Sequence, residues 1–256
     1  MAADGNMQYA LARVQAHYGR RLGEIDWRVL DASRDLSHYL DAVRAGALAD
    51  WVSSLDLTQD CHAIERSLRI EWRRYVKRVA AWHPQAWQPW LAWLAWLPTL
   101  SLLAQLARAE PAPAWLMADP VCGPIAPGVP AERITKLHGA SLAVFEPAIS
   151  GRLAVGTLWR LHWLALIPRT DERTRELLGI LSRAIGAYAD QLAPASGSAT
   201  AARQQLADRL TKLFRAGAGS VVATVCYLAL LALDLERLRG GLTNRCLLPV
   251  RVLEAA

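Results

Sequence analysis

Six histidines (His17, His38, His62, His83, His138 and His162) and four cysteines (Cys61, Cys122, Cys226 and Cys246) are the residues of this 256-residue chain best suited to acid–base, nucleophilic or metal chemistry. Their spacing organises none of it. No CxxC pair and no HExxH helix occurs, so a zinc site would need ligands gathered from distant segments. His62 and Glu65 share a helix face at i, i+3, the spacing of a base and an orienting carboxylate, but no third partner stands near them in sequence. Phosphate loops of the GxxxxGK[ST] type, a GxSxG elbow and a DDxxD carboxylate pair are absent as well. The expectation is a protein that performs no catalysis and carries no cofactor or metal.

Charge is the more informative chemistry. Lysine and arginine number 29 against 23 acidic residues, for a formal charge of +6, and only Lys77, Lys136 and Lys212 are lysines. Arginine dominance of this kind also follows from codon bias, so nucleic acid is not an expected partner. One helix concentrates the field: Arg66, Arg69, Arg73, Arg74, Lys77 and Arg78 would draw an acidic protein surface or anionic lipid. Arg66, Arg69, Arg73 and Lys77 are the candidate partner-binding residues on it, joined by Glu236 and Arg239 near the other end of the chain. Glu65 with Arg69 and Glu236 with Arg239 have the i, i+4 and i, i+3 spacings of intrahelical pairs.

The elements that must position these residues are helices. Leu36, Tyr39, Leu40 and Val43, then Leu48, Trp51, Val52 and Leu55, repeat at helical spacing, with Gly46 as a stop. Between Cys61 and Trp82, Ile64, Leu68, Trp72, Tyr75, Val76 and Val79 line one side and the basic residues the other, which predicts a long amphipathic helix. Residues 82–98, WHPQAWQPWLAWLAWLP, hold five of the eleven tryptophans and three of the thirteen prolines. Pro84 should end the long helix, Pro89 suit the first turn of the next, and Pro98 close it. A helix apolar on every side belongs in a core or against a partner. Strand-type alternation is essentially absent, so an all-α fold is expected.

WLAWLAWLP at 90–98 and RLHWLALIP at 160–168 match at Trp93 and Trp163, and at Pro98 and Pro168, which hints at repeated helical units. Six prolines in residues 110–130 make that segment a boundary or a long surface loop. PASGSAT at 194–200 reads as a flexible connector. The expected organisation is an N-terminal helical unit at 1–109, the Pro-rich loop, a middle unit at 131–193, the connector, and a C-terminal segment at 201–256 that packs back on the core. In that last segment Leu206, Leu210, Leu213 and Phe214 mark one helix, and Ser220 caps a core helix that ends at Gly240 and Gly241. Cys226 falls in its apolar run. The longest apolar windows are shorter than the roughly 17–25 residues of a membrane span, and the amino-terminal stretch has no secretory signature. A cytoplasmic protein is therefore expected.

ALARVQAHYGRR (10–21), ASRDLSHYLDAVRAGALADWV (32–52), IERSLRIEWRRYVKRVAAWHP (64–84) and VCYLALLALDLERLRGGLTNRCLLP (225–249) resemble the connector subunit of V/A-type ATPases, which archaeal, bacterial and eukaryotic enzymes share. The resemblance covers somewhat under half the chain. It implies a funnel-shaped, all-helical protein that sits on the rotor ring, receives the central stalk and passes torque without catalysis. Its partners would be subunits of a membrane protein complex, the ATPase ring and central stalk among them, with an anionic lipid surface nearby. The chain is shorter than a full three-unit member, and its Pro-rich middle has no counterpart there. Two other readings stay open: an all-helical enzyme with a pocket assembled around Trp93 and Trp163, and a protein that binds a lipid surface directly.

Overall fold

The computed structural model describes residues 2–108, 111–191 and 199–248, and among these every regular element is helical. In chain order they are α1 (Ala2–Tyr18), α2 (Glu24–Asp31), α3 (Leu36–Arg44), α4 (Ala49–Val52), α5 (Cys61–Ala81), α6 (Gln88–Trp93) and α7 (Leu100–Leu106). There follow α8 (Ala114–Met117), α9 (Pro130–Gly139), α10 (Glu146–Ile149), α11 (Val155–Ala165), α12 (Glu172–Gln191), α13 (Ala199–Ala216) and α14 (Val221–Leu247). The all-α expectation holds.

The axis of the molecule is α14, which packs against α13, α5, α1, α12 and α3. Its sequence explains the placement. From Val221 to Leu228 every residue is buried, Cys226 included, and the Ser220 hydroxyl accepts the Val222 N–H as the N-cap. The helix does not stop at Gly240 and Gly241 but runs on to Leu247. At Gly241 a side chain would fall on the Tyr39 hydroxyl and ring, so the missing Cβ is a notch that lets α3 approach. Arg245, one turn further on, lies 4.1 Å over the Tyr39 ring and closes the notch.

The predicted face of α5 is buried as expected: Ile64, Leu68, Trp72, Tyr75, Val76 and Val79 all point inward. Asp60 caps the helix by accepting the Ala63 N–H at 2.7 Å. Pro89 opens α6, with Trp90 and Leu91 fully buried. Pro98 does not close that element; the chain continues as a 3-10 helix over Leu94–Thr99 and straight into α7. In an α-helix the Pro98 N–H would have served the Leu94 carbonyl, and proline has none. The buried Trp72 indole N–H donates to that carbonyl at 3.0 Å, which satisfies it and ties α5 to the turn.

The Pro-rich middle has both surface and core positions. Leu116, Cys122, Ile125 and Ala126 are all at most 1% exposed, while Pro111, Pro120, Pro124, Pro127 and Pro130 are exposed. Its turns are tight. A side chain at Gly123 would strike the Met117 and Asp119 carbonyls, so only glycine fits. The boundary at 109–110 lies outside the described residues, as does the expected connector except for residues 199 and 200, which already belong to α13. Residues 249–256 of the expected C-terminal segment also lie outside them.

Candidate functional site

The basic face of α5 turns out to be an internal clasp along most of its length. Arg69 Nη2 donates to Asp119 Oδ2 at 3.0 Å, and Arg66 Nη1 to the Ala118 carbonyl at 3.2 Å. The other Asp119 oxygen accepts the Val121 and Cys122 N–H groups at 2.9 and 3.0 Å, so this carboxylate folds the Pro-rich turn and anchors it to α5. Arg73 stacks 4.5 Å over Trp96, and burial pushes its guanidinium below the ordinary arginine range. Arg74, Lys77 and Arg78 keep the exposed edge; Lys77 has no ion pair among the described residues.

The two acid–arginine pairs behave differently. Glu65 lies 3.9 Å from Arg69 as expected. Glu236 and Arg239 do not pair with each other. Glu236 takes Arg203 at 3.6 Å and the Tyr188 hydroxyl at 3.2 Å, while Arg239 reaches Glu65 on α5 at 2.7 Å. Side chains on a helix that packs against five others meet partners closer to hand than their own i, i+3 neighbour. Of the six candidate partner residues, five are thus joined to other parts of this chain and Lys77 faces solvent.

The histidines are equally dispersed. His62 stacks on Trp115 at 5.3 Å, His138 meets Glu146 at 2.9 Å, and His38 is an exposed partner of Asp35. His83 is buried with its Nε2 3.1 Å from Thr224 Oγ1, and burial lowers its pKa to about 4. No group of three or more metal-ligating side chains gathers among the described residues. Trp93 and Trp163 pack against other rings. Trp163 stacks on Trp90 at 5.2 Å, and Trp93 packs on Phe145 and His162 at 5.9 and 4.4 Å.

A different surface has the form of a binding site. α12 and α13 pack side by side and leave between them a groove of about 520 Å³. Ile180, Ala184 and Ala187 from α12 and Leu213 from α13 make its apolar lining, and Arg183, Arg209 and Lys212 make its rim. All three cations are exposed, and none has an ion pair or hydrogen bond among the described residues. The helical period explains the pattern. Residues 180, 183, 184 and 187 fall at i, i+3, i+4 and i+7, and 209, 212 and 213 at i, i+3 and i+4, so each helix brings one mixed stripe to the seam. Ile180 is 43% exposed although it is a large aliphatic side chain in the middle of a helix. Sequence reasoning found the inward stripe of α13 but missed the cations. Their signal was a basic residue one position before a small or apolar one on each helix, and it means something only once the two helices are known to be neighbours.

No protein-family model, no curated protein and no solved structure matches the chain. No helix among the described residues is long and apolar enough to cross a membrane.

Proposed function

We propose that the protein is a non-catalytic interaction subunit that docks on a membrane complex. The observation that carries this reading is the groove between α12 and α13, with apolar Ile180 and Leu213 in its lining and Arg183, Arg209 and Lys212 on its rim. Such a surface is complementary to an amphipathic helix that places apolar residues at i and i+3 or i+4 and carboxylates beside them. Three cations of one sign steer an acidic partner and fix its orientation, and the apolar floor holds it.

The segments at 10–21, 32–52, 64–84 and 225–249 that resemble the V/A-type ATPase connector make a rotor-bearing membrane complex the partner of choice. In that role the protein sits on the cytoplasmic side, peripheral to the membrane, and couples a stalk to a ring. The stiffness such a role requires is consistent with α14, which five other helices brace along its length.

The test is a triple reversal, Arg183→Glu with Arg209→Glu and Lys212→Glu. These side chains are exposed, so helicity and unfolding midpoint should change little. Co-purification with membrane subunits from gently solubilised membranes of the native host should be lost. Undiminished co-purification would remove the groove from the interface. Salt-sensitive binding of the wild type to anionic vesicles free of protein would place lipid there instead.

A further inference from the structure

A second cavity, of about 280 Å³, opens beneath the C-terminal end of α1, where α5, α14 and the turn between α3 and α4 converge. Its position follows from the helix crossings. Tyr75 and Tyr227 are both buried there and their hydroxyls lie 2.5 Å apart. Two hydroxyls joined by one hydrogen bond use one proton between them. Neither hydroxyl makes a second hydrogen bond among the described residues, so the other proton is left to donate into the cavity.

The charges around this point are lopsided. Asp234 is the buried acid of the lining, and Arg21 neutralises it through two bonds of 2.7 and 2.9 Å. Burial pushes the Asp234 carboxyl up, and the hydrogen bonds and charge of Arg21 oppose that push. Arg20 and Arg78 line the rim, and neither has an ion pair among the described residues; Arg78 rests 5.0 Å from the Tyr75 ring centre. Asp50, exposed, is the one opposing charge beside them, and it too is without an ion pair among the described residues. His17, on the wall, reports the resulting field. Burial first, then Arg13, Arg20 and Arg78, hold its imidazole below the ordinary range, with Asp50 pulling the other way.

We propose that this cavity is a binding site for a small oxyanion-bearing metabolite, a carboxylate or a phosphate ester, held by Arg20 and Arg78 and by the spare tyrosine proton. Guanidinium groups present two parallel N–H donors to a carboxylate or phosphate, which suits an anion at the mouth of the cavity. The phenol donor on the floor fixes its depth. The volume lies just under the ~300–1,000 Å³ of typical small-molecule pockets, so a compact ligand fits and a dinucleotide does not. This site is independent of the α12–α13 groove.

The experiment is a titration of the full chain with inorganic phosphate and, separately, with succinate, at constant ionic strength, following the unfolding midpoint and the shifts of backbone amides by NMR. A saturable rise in midpoint is expected, with amide shifts confined to residues around 17–22, 46–51, 75–78 and 227–234. Saturation by phosphate alone assigns the site to phosphate esters, and saturation by succinate alone to carboxylates. Arg20→Gln with Arg78→Gln should weaken binding at least tenfold, while Arg183→Gln with Arg209→Gln in the groove should leave it unchanged. Arg20→Gln alone, an exposed side chain with no internal partner to lose, keeps the test valid if the double variant folds poorly; it should weaken binding by itself. A shift that never saturates, or one equal in wild type and Arg20→Gln, would overturn the proposal.

Discussion

Trp93 and Trp159 each give an indole N–H to the other's main-chain carbonyl, at 3.1 and 3.3 Å. The exchange joins α6 to α11, and Trp90 stacked on Trp163 continues the same seam. The segments with matching sequence therefore lie against each other. Sequence alignment pairs Trp93 with Trp163, whereas the structure pairs it with Trp159.

This seam should contribute strongly to stability. Trp90 is fully buried, so Trp90→Ala should cost about 3–5 kcal/mol. Trp93→Phe keeps most of the ring but removes the indole hydrogen bond to the Trp159 carbonyl, at about 1 kcal/mol. Urea denaturation measures both; a near-neutral Trp90→Ala would contradict the core assignment.

Arg69 and Lys77 sit on the same basic helix but should respond oppositely to truncation. Arg69→Ala strands the Asp119 carboxylate, whose side chain is 6% exposed. The expected cost is about 3 kcal/mol, the lower end for a buried charge left unpaired, because two backbone N–H groups still hold it. Lys77→Ala should fall within about 0.5 kcal/mol of wild type. Equal effects in denaturant titrations would mean that the clasp contributes nothing.

These contrasts mark what a sequence can and cannot reveal. The 3.6-residue period reports which side of a helix faces inward, and it placed the buried face of α5 correctly. It says nothing about partners far away in the chain. Arg69 and Asp119 are fifty positions apart, and nothing local distinguishes Arg69 from Lys77. Pro98 and Gly241 misled for a related reason. Each reads as a helix terminator by local rule; at Pro98 the Trp72 indole satisfies the carbonyl that proline orphans, and Gly241 serves instead to make room for Tyr39. The α12–α13 groove and the cavity under α1 exist only after helices pack, so no stretch of sequence encodes either.

The two glycines near the end of α14 give a paired test. At Gly240 an added Cβ meets open space, so Gly240→Ala should stabilise the helix by about 0.5–1 kcal/mol. At Gly241 the same change strikes Tyr39 and should destabilise by about 1–3 kcal/mol. Thermal unfolding of the two variants should shift in opposite directions.

His83 should make stability depend on pH. The unfolded imidazole binds a proton near pH 6.5, and the buried one only near 4. Between those values the unfolded state holds more protons. Stability is thus fully present above pH 6.5 and falls as pH falls, by at most about 1.4 kcal/mol per unit, until it levels below pH 4. His83→Gln removes the titrating group. The difference between wild-type and variant denaturation curves should flatten above pH 6.5 and slope below it; a constant difference from pH 7 to pH 4 would contradict the burial argument.

In the proposed function the α12–α13 groove receives an acidic amphipathic helix of a membrane complex. A photo-crosslinking amino acid at Ile180, expressed in the native host and activated in intact cells, reads this contact directly. One dominant adduct is expected, with a protein of the membrane complex joined through a helix bearing carboxylates beside its apolar face. That adduct should disappear when Arg183, Arg209 and Lys212 are reversed in charge. A position that yields no protein adduct, in a chain recovered alone from the soluble fraction, would contradict it.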